Sequence, residues 1–244
     1  RSKNRMGLLM WMSHPCWPSM VWQTYDYYLE PTAAYFAIKK ASEPLHIQWN
    51  PATDEVEVVN YSAGTHSHLT ARVQILNMDA SVAWEKETTV DSREDTTEKC
   101  IKLEFPETLS EVYFIKLWLL EDGKILSDNF YHASRKGINY QALKQLPEVT
   151  LDCQAKMAQD KEGNWTATVT LTNPTSTPAL MTRINVVGDK DGDQFLPILY
   201  EDNYFALLPG EQKEVSVRWK DVDTRGNSPV IRITGYNVKE LSRQ

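Results

Sequence analysis

From residue 43 to the end, the chain alternates polar and apolar residues with a period of two, the pattern of strands buried on one face. Ala71, Val73 and Ile75 alternate with Arg72 and Gln74, and Ile101, Leu103 and Phe105 alternate with Lys102 and Glu104. The run Val112–Leu120 is apolar on nearly both faces and reads as a central strand. It closes at Glu121-Asp122-Gly123-Lys124, where an Asp-Gly pair signals a tight hairpin, so residues 125–132 should return beside it. A polar stretch over 134–147, holding Gly137 and ending at Pro147, reads as a linker. Beyond it Leu151, Cys153, Ala155 and Met157 mark one strand, and Trp165, Ala167, Val169 and Leu171 a second. Val215, Val217 and Trp219 mark a third, Ile231 and Ile233 a last. Strands at this spacing, in two halves of about 100 residues each, predict a mainly β chain of two tandem immunoglobulin-like sandwiches, 43–147 and 148–244.

The first 42 residues break the pattern. Gly7-Leu8-Leu9-Met10-Trp11 is a continuous apolar run, expected of a strand buried on both faces of a parallel sheet. Pro31–Ser42 suits a helix, with Pro31 at its first position. Buried strand, long aromatic connection and helix make one β/α unit, and one unit cannot close a sheet. Eight of the 25 Trp, Tyr and Phe residues lie between Trp11 and Phe36. Without neighbours they would leave the exposed apolar surface that soluble proteins avoid. Residues 1–42 are therefore expected to be the last piece of a larger, truncated α/β domain.

Composition narrows the functions. The 244 residues carry a net charge of -7, so nothing draws the chain to a phosphate backbone, and nucleic acid is not an expected partner. No apolar run approaches the ~18 residues of a spanning helix, so no membrane is expected either. Cys16, Cys100 and Cys153 form neither a disulfide framework nor a metal-binding pair. His66-x-His68 has a spacing that could place two imidazoles on one strand face, but it reads as a turn without nearby carboxylates. Asp189-Lys190-Asp191-Gly192-Asp193 has its glycine too early for a calcium loop and Tyr200 where a glutamate is needed, so an acidic hairpin turn is expected. No metal and no cofactor is expected. Asn60 and Asn164 head formal glycosylation sequons.

Three separated stretches carry a resemblance. Gly7-x-x-x-Trp11, Trp17-Pro18-Ser19 and Asp26-Tyr27-Tyr28 resemble the last β/α unit of the barrel in glycoside hydrolase family 2, in its β-mannosidase and exo-β-glucosaminidase branches. Lys39-Lys40-Ala41 with Glu43-Pro44-Leu45-His46-Ile47-Gln48 resembles that family's passage from barrel to immunoglobulin-like domain. Asp202-Asn203-Tyr204-Phe205 and Leu208-Pro209-Gly210-Glu211 resemble its final immunoglobulin-like domain. The resemblance implies that residues 1–42 are the eighth strand, active-site loop and helix of a (β/α)8 barrel, cut from the preceding units.

It also implies the chemistry. Retaining glycosidases use two carboxylates about 5–5.5 Å apart, which in this family lie on earlier barrel strands, upstream of Arg1. Asp26, Glu30 and Glu43 do not match either, so this stretch should hold no catalytic residue and have no activity of its own. Its contribution would be to the sugar pocket at the carboxyl ends of the barrel strands. Trp11 matches a tryptophan that packs against the sugar, Trp17 could line the same pocket, and packing at the barrel rim is the alternative for both. The β-mannosidase branch typically reads Gln-Leu-Asn-Asp after this tryptophan. Here the residues are Met12-Ser13-His14-Pro15, which puts mannose specificity in doubt and makes His14 the candidate for a hydroxyl contact. Trp22, Tyr25, Tyr27 and Tyr28 are expected to pack between barrel and sandwich, and Asp202–Phe205 to dock the last domain onto its neighbour rather than bind sugar. The implied partners are the upstream barrel and a carbohydrate substrate, in a periplasmic or secreted enzyme. The alternative is a non-catalytic carbohydrate-binding or interaction module.

Overall fold

The computed structural model describes residues 9–19 and 22–243. A single helix, α1 (Ala33–Ala41), precedes fifteen strands in the described residues. Seven of them are β1 (Leu45–Asn50), β2 (Glu55–Asn60), β3 (His66–Asn77), β4 (Val82–Ser92), β5 (Thr96–Lys102), β6 (Val112–Glu121) and β7 (Lys124–Ser134). They form one sheet of order β1-β2-β5 and another of order β4-β3-β6-β7, all antiparallel. Next come β8 (Asp152–Gln159), β9 (Asn164–Thr172), β10 (Ala179–Gly188), β11 (Leu199–Tyr200) and β12 (Phe205–Leu207). The chain closes with β13 (Gln212–Lys220), β14 (Pro229–Thr234) and β15 (Leu241–Arg243), giving sheets of order β11-β13-β9-β8 and β12-β10-β14-β15. Each pair of sheets encloses its own core, Ile47, Val73 and Ile115 in the first and Val169, Ile184 and Val217 in the second.

Local chemistry accounts for the elements. Trp165, Ala167, Val169 and Leu171 turn one face of β9 inward while the threonines between them take the other. The β6–β7 hairpin turns on Asp122 and Gly123, with φ of 49° and 80°, the left-handed pair that an Asp-Gly turn supplies. β5 ends at Lys102, before the predicted Phe105, and the Leu103 amide donates instead to the Asp54 carbonyl at 2.8 Å. The expected linker is ordered, with a 3-10 turn at Gln141–Gln145.

Three expectations for the first residues need correction or restriction. Gly7 and Leu8 of the predicted buried strand lie outside the described residues. Leu9–Trp11 form no strand and Leu9 is 99% exposed, and no strand among the described residues pairs with them. Pro31 is not the first helical residue: it bridges to Tyr25 in extended conformation, Thr32 takes the N-cap position, and the helix starts at Ala33.

The double-sided apolar pattern of β6 has a cause that periodicity alone did not reveal. Tyr113, Ile115, Leu117 and Leu119 face the first core. Val112 and Phe114 face the opposite way, into a third cluster with Leu76, and with Leu180 and Leu208 of the second sandwich. Lys116 follows on that same face, almost fully buried, and is ion-paired with Glu211 across the seam. Phe114 has no exposed surface and stacks on Phe130 at 5.3 Å. Phe114→Ala should therefore lower global stability by about 3–5 kcal/mol, as a large core truncation does. Urea denaturation checks this; a loss under about 1 kcal/mol would mean that the seam closes without it.

Candidate functional site

The candidate residues sit on residues 9–19 and 22–31, and hydrogen bonds tie these two stretches together. The Ser13 carbonyl accepts hydrogen bonds from the Tyr25 amide at 2.9 Å and from Thr24 Oγ1 at 3.0 Å, which straps the early part of the segment to the later part. A tight turn follows. Asp26 Oδ1 accepts from the Tyr28 and Glu30 amides, both at 2.9 Å, while the Asp26 amide donates to the Glu30 carbonyl at 3.0 Å. Leu29 at the turn has φ of 67°. Thr32 Oγ1 donates to the Gln23 carbonyl at 2.6 Å and ties the segment to the start of α1.

On this frame Trp11 is 84% and Trp17 65% exposed. His14 is also exposed, with Nδ1 at 3.1 Å from Ser13 Oγ. The Trp11–Met12 peptide is cis. Among the described residues no ring contact joins Trp11 to Trp17, so the structure presents the two indoles outward rather than packing them together. Of the four aromatics expected to pack, Tyr25 meets Tyr35 at 5.5 Å, whereas Trp22, Tyr27 and Tyr28 stay exposed.

The three carboxylates of this region are committed to structure. Asp26 holds the turn. Glu43 accepts from Ser127 Oγ at 2.7 Å and lies 3.4 Å from Lys40. Burial opposes its charge, but hydrogen bonds from His46 and Ser127 together with Lys40 leave it below the usual carboxylate range. Glu30 is 7% exposed, and its Oε1 accepts from Arg183 Nη2 and, at 2.9 Å, from Asn185 Nδ2. Sequence reasoning missed this anchor. Its one local signal was Arg183 and Asn185 two residues apart on the face of β10 opposite the inward Ile184 and Val186.

Helix α1 joins the segment to both sandwiches. Phe36 packs on Tyr204 at 5.9 Å and Tyr200 at 6.5 Å. Lys39 donates to the Glu201 carbonyl, and Lys40 meets Asp128 of β7 at 2.5 Å. The Asp202–Phe205 stretch thus has a structural role. Asn203 brackets Ile184, donating to its carbonyl at 2.9 Å and accepting from its amide at 2.8 Å, while Tyr204 faces the helix. Burial lifts the Tyr204 phenol to about 12.

The other candidates resolve as follows. His66 Nδ1 lies 2.8 Å from Glu121 Oε1, so a carboxylate is near after all, and that hydrogen bond raises the imidazole above its ordinary value. The bulge between His66 and Leu69 turns His68 away into a contact of its own amide with Asp91. No group of three or more His, Cys, Asp or Glu residues able to hold a metal occurs among the described residues. Asp189–Asp193 is a turn closed by Gly192 N to the Gly188 carbonyl at 3.1 Å. Asn60 is fully buried and bonded to Gly64, which excludes it as a glycan acceptor in the folded chain. The three cysteines are free.

The α1–β7 contact has a pH signature. Burial works against the charge on Asp128, but Lys40, with Lys213 and Lys116 behind it, outweighs burial and holds the carboxyl below the usual range. A lowered carboxyl adds stability above its unfolded value of about 4, and the gain disappears as pH falls through the folded value. Asp128→Asn should thus be less stable than the parent sequence at neutral pH, and the gap should narrow below about pH 4. Urea midpoints at neutral and acid pH test this, and a gap independent of pH would remove Asp128 from the contact.

Residues 129–238 match the family described as the exo-β-D-glucosaminidase Ig-fold domain. The chain is 33% identical to an exo-β-D-glucosaminidase of Streptomyces avermitilis, an alignment that covers 98% of this chain and 29% of that protein. It is 23% identical to a mannosylglycoprotein endo-β-mannosidase of Lilium longiflorum, covering 96% of this chain and 31% of that one. Among solved structures, the Amycolatopsis orientalis exo-chitosanase CsxA in complex with PNP-β-D-glucosamine superposes with a TM-score of 0.89 at 28% identity, over 97% of this chain and 30% of that one. The chain thus spans about 30% of the length of the proteins it matches.

Proposed function

We propose, for a chain that belongs to the exo-β-glucosaminidase and β-mannosidase branch of glycoside hydrolase family 2, that it serves as the C-terminal part of a retaining exo-β-glycosidase. In this reading residues 9–19 form one wall of the sugar pocket and the two sandwiches carry that wall. The observation that carries the proposal is the outward presentation of Trp11 and Trp17 on a segment tied at the Ser13 carbonyl to Thr24 and Tyr25. An indole face suits the apolar C–H face of a pyranose, and the two exposed indoles would supply that face. His14 would add a hydroxyl contact.

The reaction would run on two carboxylates, nucleophile and acid/base, supplied by the rest of the enzyme. The three acids nearest the segment are unsuited to either role, since Glu30 is held by Arg183 and Asn185, Glu43 by Ser127 and Lys40, and Asp26 by two backbone amides. A β-glucosaminide is the preferred substrate over a β-mannoside. The Streptomyces avermitilis relative is an exo-β-D-glucosaminidase, and the polar quartet typical of the mannosidase branch is absent after Trp11. A periplasmic or secreted location belongs to the same proposal.

The test begins with protein purified from its source with an antibody against the sandwiches. Its intact mass should be several times 28.0 kDa, and it should cleave an aryl β-glucosaminide faster than the matching β-mannoside. The 244-residue chain alone should do neither that nor bind chitosan oligosaccharides. A source protein of 28.0 kDa that binds an oligosaccharide as it stands would overturn the proposal in favour of a binding module.

A further inference from the structure

We propose that Arg183 and Asn185 are positioning residues for the sugar-facing segment, acting through the carboxylate of Glu30. The inference rests on the reading of Trp11 and Trp17 as a pocket wall.

The path is continuous and short. β10 is an inner strand of its sheet; at Arg183 and Asn185 it pairs with Thr234 and Arg232 of β14, and on its other edge the Asn203 side chain brackets Ile184 between them. On its outer face Arg183 and Asn185 converge on the same oxygen, Oε1 of Glu30. Asn185 is 1% exposed and, among the described residues, its Oδ1 has no partner, so the bond it gives to Glu30 is what holds its amide group in the site. Tyr204 covers the guanidinium of Arg183 with its ring centroid 5.8 Å away, which keeps that side chain from swinging out. Burial disfavours the charge on Arg183, yet Glu30 outweighs burial and raises its affinity for the proton.

Glu30 ends the tight turn. Its amide is held by Asp26 and its carbonyl by the Asp26 amide, so fixing the carboxylate fixes the turn. The turn in turn carries Tyr25 and Thr24, and both of these grip the Ser13 carbonyl. Ser13 is next to His14 and two residues from Trp11. A short chain of contacts therefore leads from a rigid inner strand of the last domain to the residues proposed to face sugar. This would give the C-terminal sandwich a task at the sugar site that Arg183 and Asn185 perform through Glu30 rather than by contact with sugar. A charged anchor suits the task better than an apolar one. Apolar packing tolerates sliding, whereas two donors aimed at one oxygen set a position.

The experiment compares variants of the intact glycosidase. Arg183→Met and Glu30→Gln should each lower kcat/KM for an aryl β-glucosaminide by about tenfold, mostly through kcat, because a misplaced pocket wall costs transition-state contact. Each should also speed chymotrypsin cleavage within residues 11–28, and combining them should add little. Arg183→Lys, which keeps the charge, should restore part of both readouts. Lys213→Met, which breaks the 2.5 Å pair with Asp202 in the same sandwich, should lower Tm while leaving kcat/KM and cleavage unchanged.

If Arg183→Met accelerates cleavage but leaves kcat/KM intact, the tether exists without positioning the site, and the proposal is overturned. If Lys213→Met matches Arg183→Met in kcat/KM, the loss reflects stability alone, and the positioning role is again overturned. Trp11→Ala separates the two readings. Should it leave kcat/KM unchanged, the pocket-wall reading fails and takes the positioning role with it, while the cleavage data still report the tether.

Discussion

A strand can be apolar on both faces only if something other than its own sandwich covers the second face, and β6 imposes that demand on the whole molecule. Its inner face completes the first core, and its outer face, with Val112 and Phe114, requires Leu180 and Leu208 of the other sandwich. The same face then carries Lys116, which has to be paired because an isolated buried ammonium is far too costly. Glu211 supplies the partner from the loop before β13, and its other oxygen accepts from the Leu208 amide at 2.8 Å. Such a pair contributes little net stability, since desolvation consumes most of its Coulomb energy. Its effect is on geometry: any slide along the seam would leave Lys116 buried and unpaired, at about 3–5 kcal/mol. Apolar contact holds the sandwiches together, and the ion pair fixes where.

The helix and the strapped segment then take their places on this platform. α1 is adjacent in sequence to the first sandwich but packs its one buried aromatic, Phe36, on Tyr200 and Tyr204 of the second, while Lys40 reaches back to Asp128 of the first. A nine-residue helix is marginal by itself, so these contacts decide where it forms. Lysines 39 and 40 in its last turn also suit the helix dipole. The aromatic contacts continue from Phe36 to Tyr35 and Tyr25 and so into the segment that bears Trp11 and Trp17.

Most of the fold was legible because it is written in local patterns. Period-two alternation marked β3, β9 and β13, and Asp122-Gly123 marked the β6–β7 hairpin. What was hidden was long-range. Nothing around Val112–Leu120 says whether two faces are apolar because of flanking sheets or because of a docked domain; only the position of Phe114 against Leu180 decides. Short edge strands such as β11 and β12 hold too few residues to show any period. In the candidate site, Trp11, Trp17 and His14 stood out by their residue types and by family resemblance. Glu30, Arg183 and Asn185 did not, because a carboxylate and its partners 153 and 155 positions away in the chain leave no joint signature. His66 shows the reverse error: its carboxylate partner, Glu121, is remote in sequence and adjacent in space.

That split between visible and hidden residues is the one that the proposed sugar-binding wall would need. Indoles that are to meet a ligand cannot also pack against their own chain, and the exposure of Trp11 and Trp17 leaves them little part in holding their segment in place. The segment must be held from below, by groups that never reach the ligand. Backbone bonds to Ser13, the Asp26 turn and the buried Glu30 carboxylate hold it, and each restricts motion before any sugar arrives. Order established in advance is order that binding need not supply, which is why preorganised walls cost less affinity and hold reacting groups better than mobile ones. The residues that would touch substrate are therefore recognisable by type alone. Those that make the contact possible are recognisable only once the chain is folded.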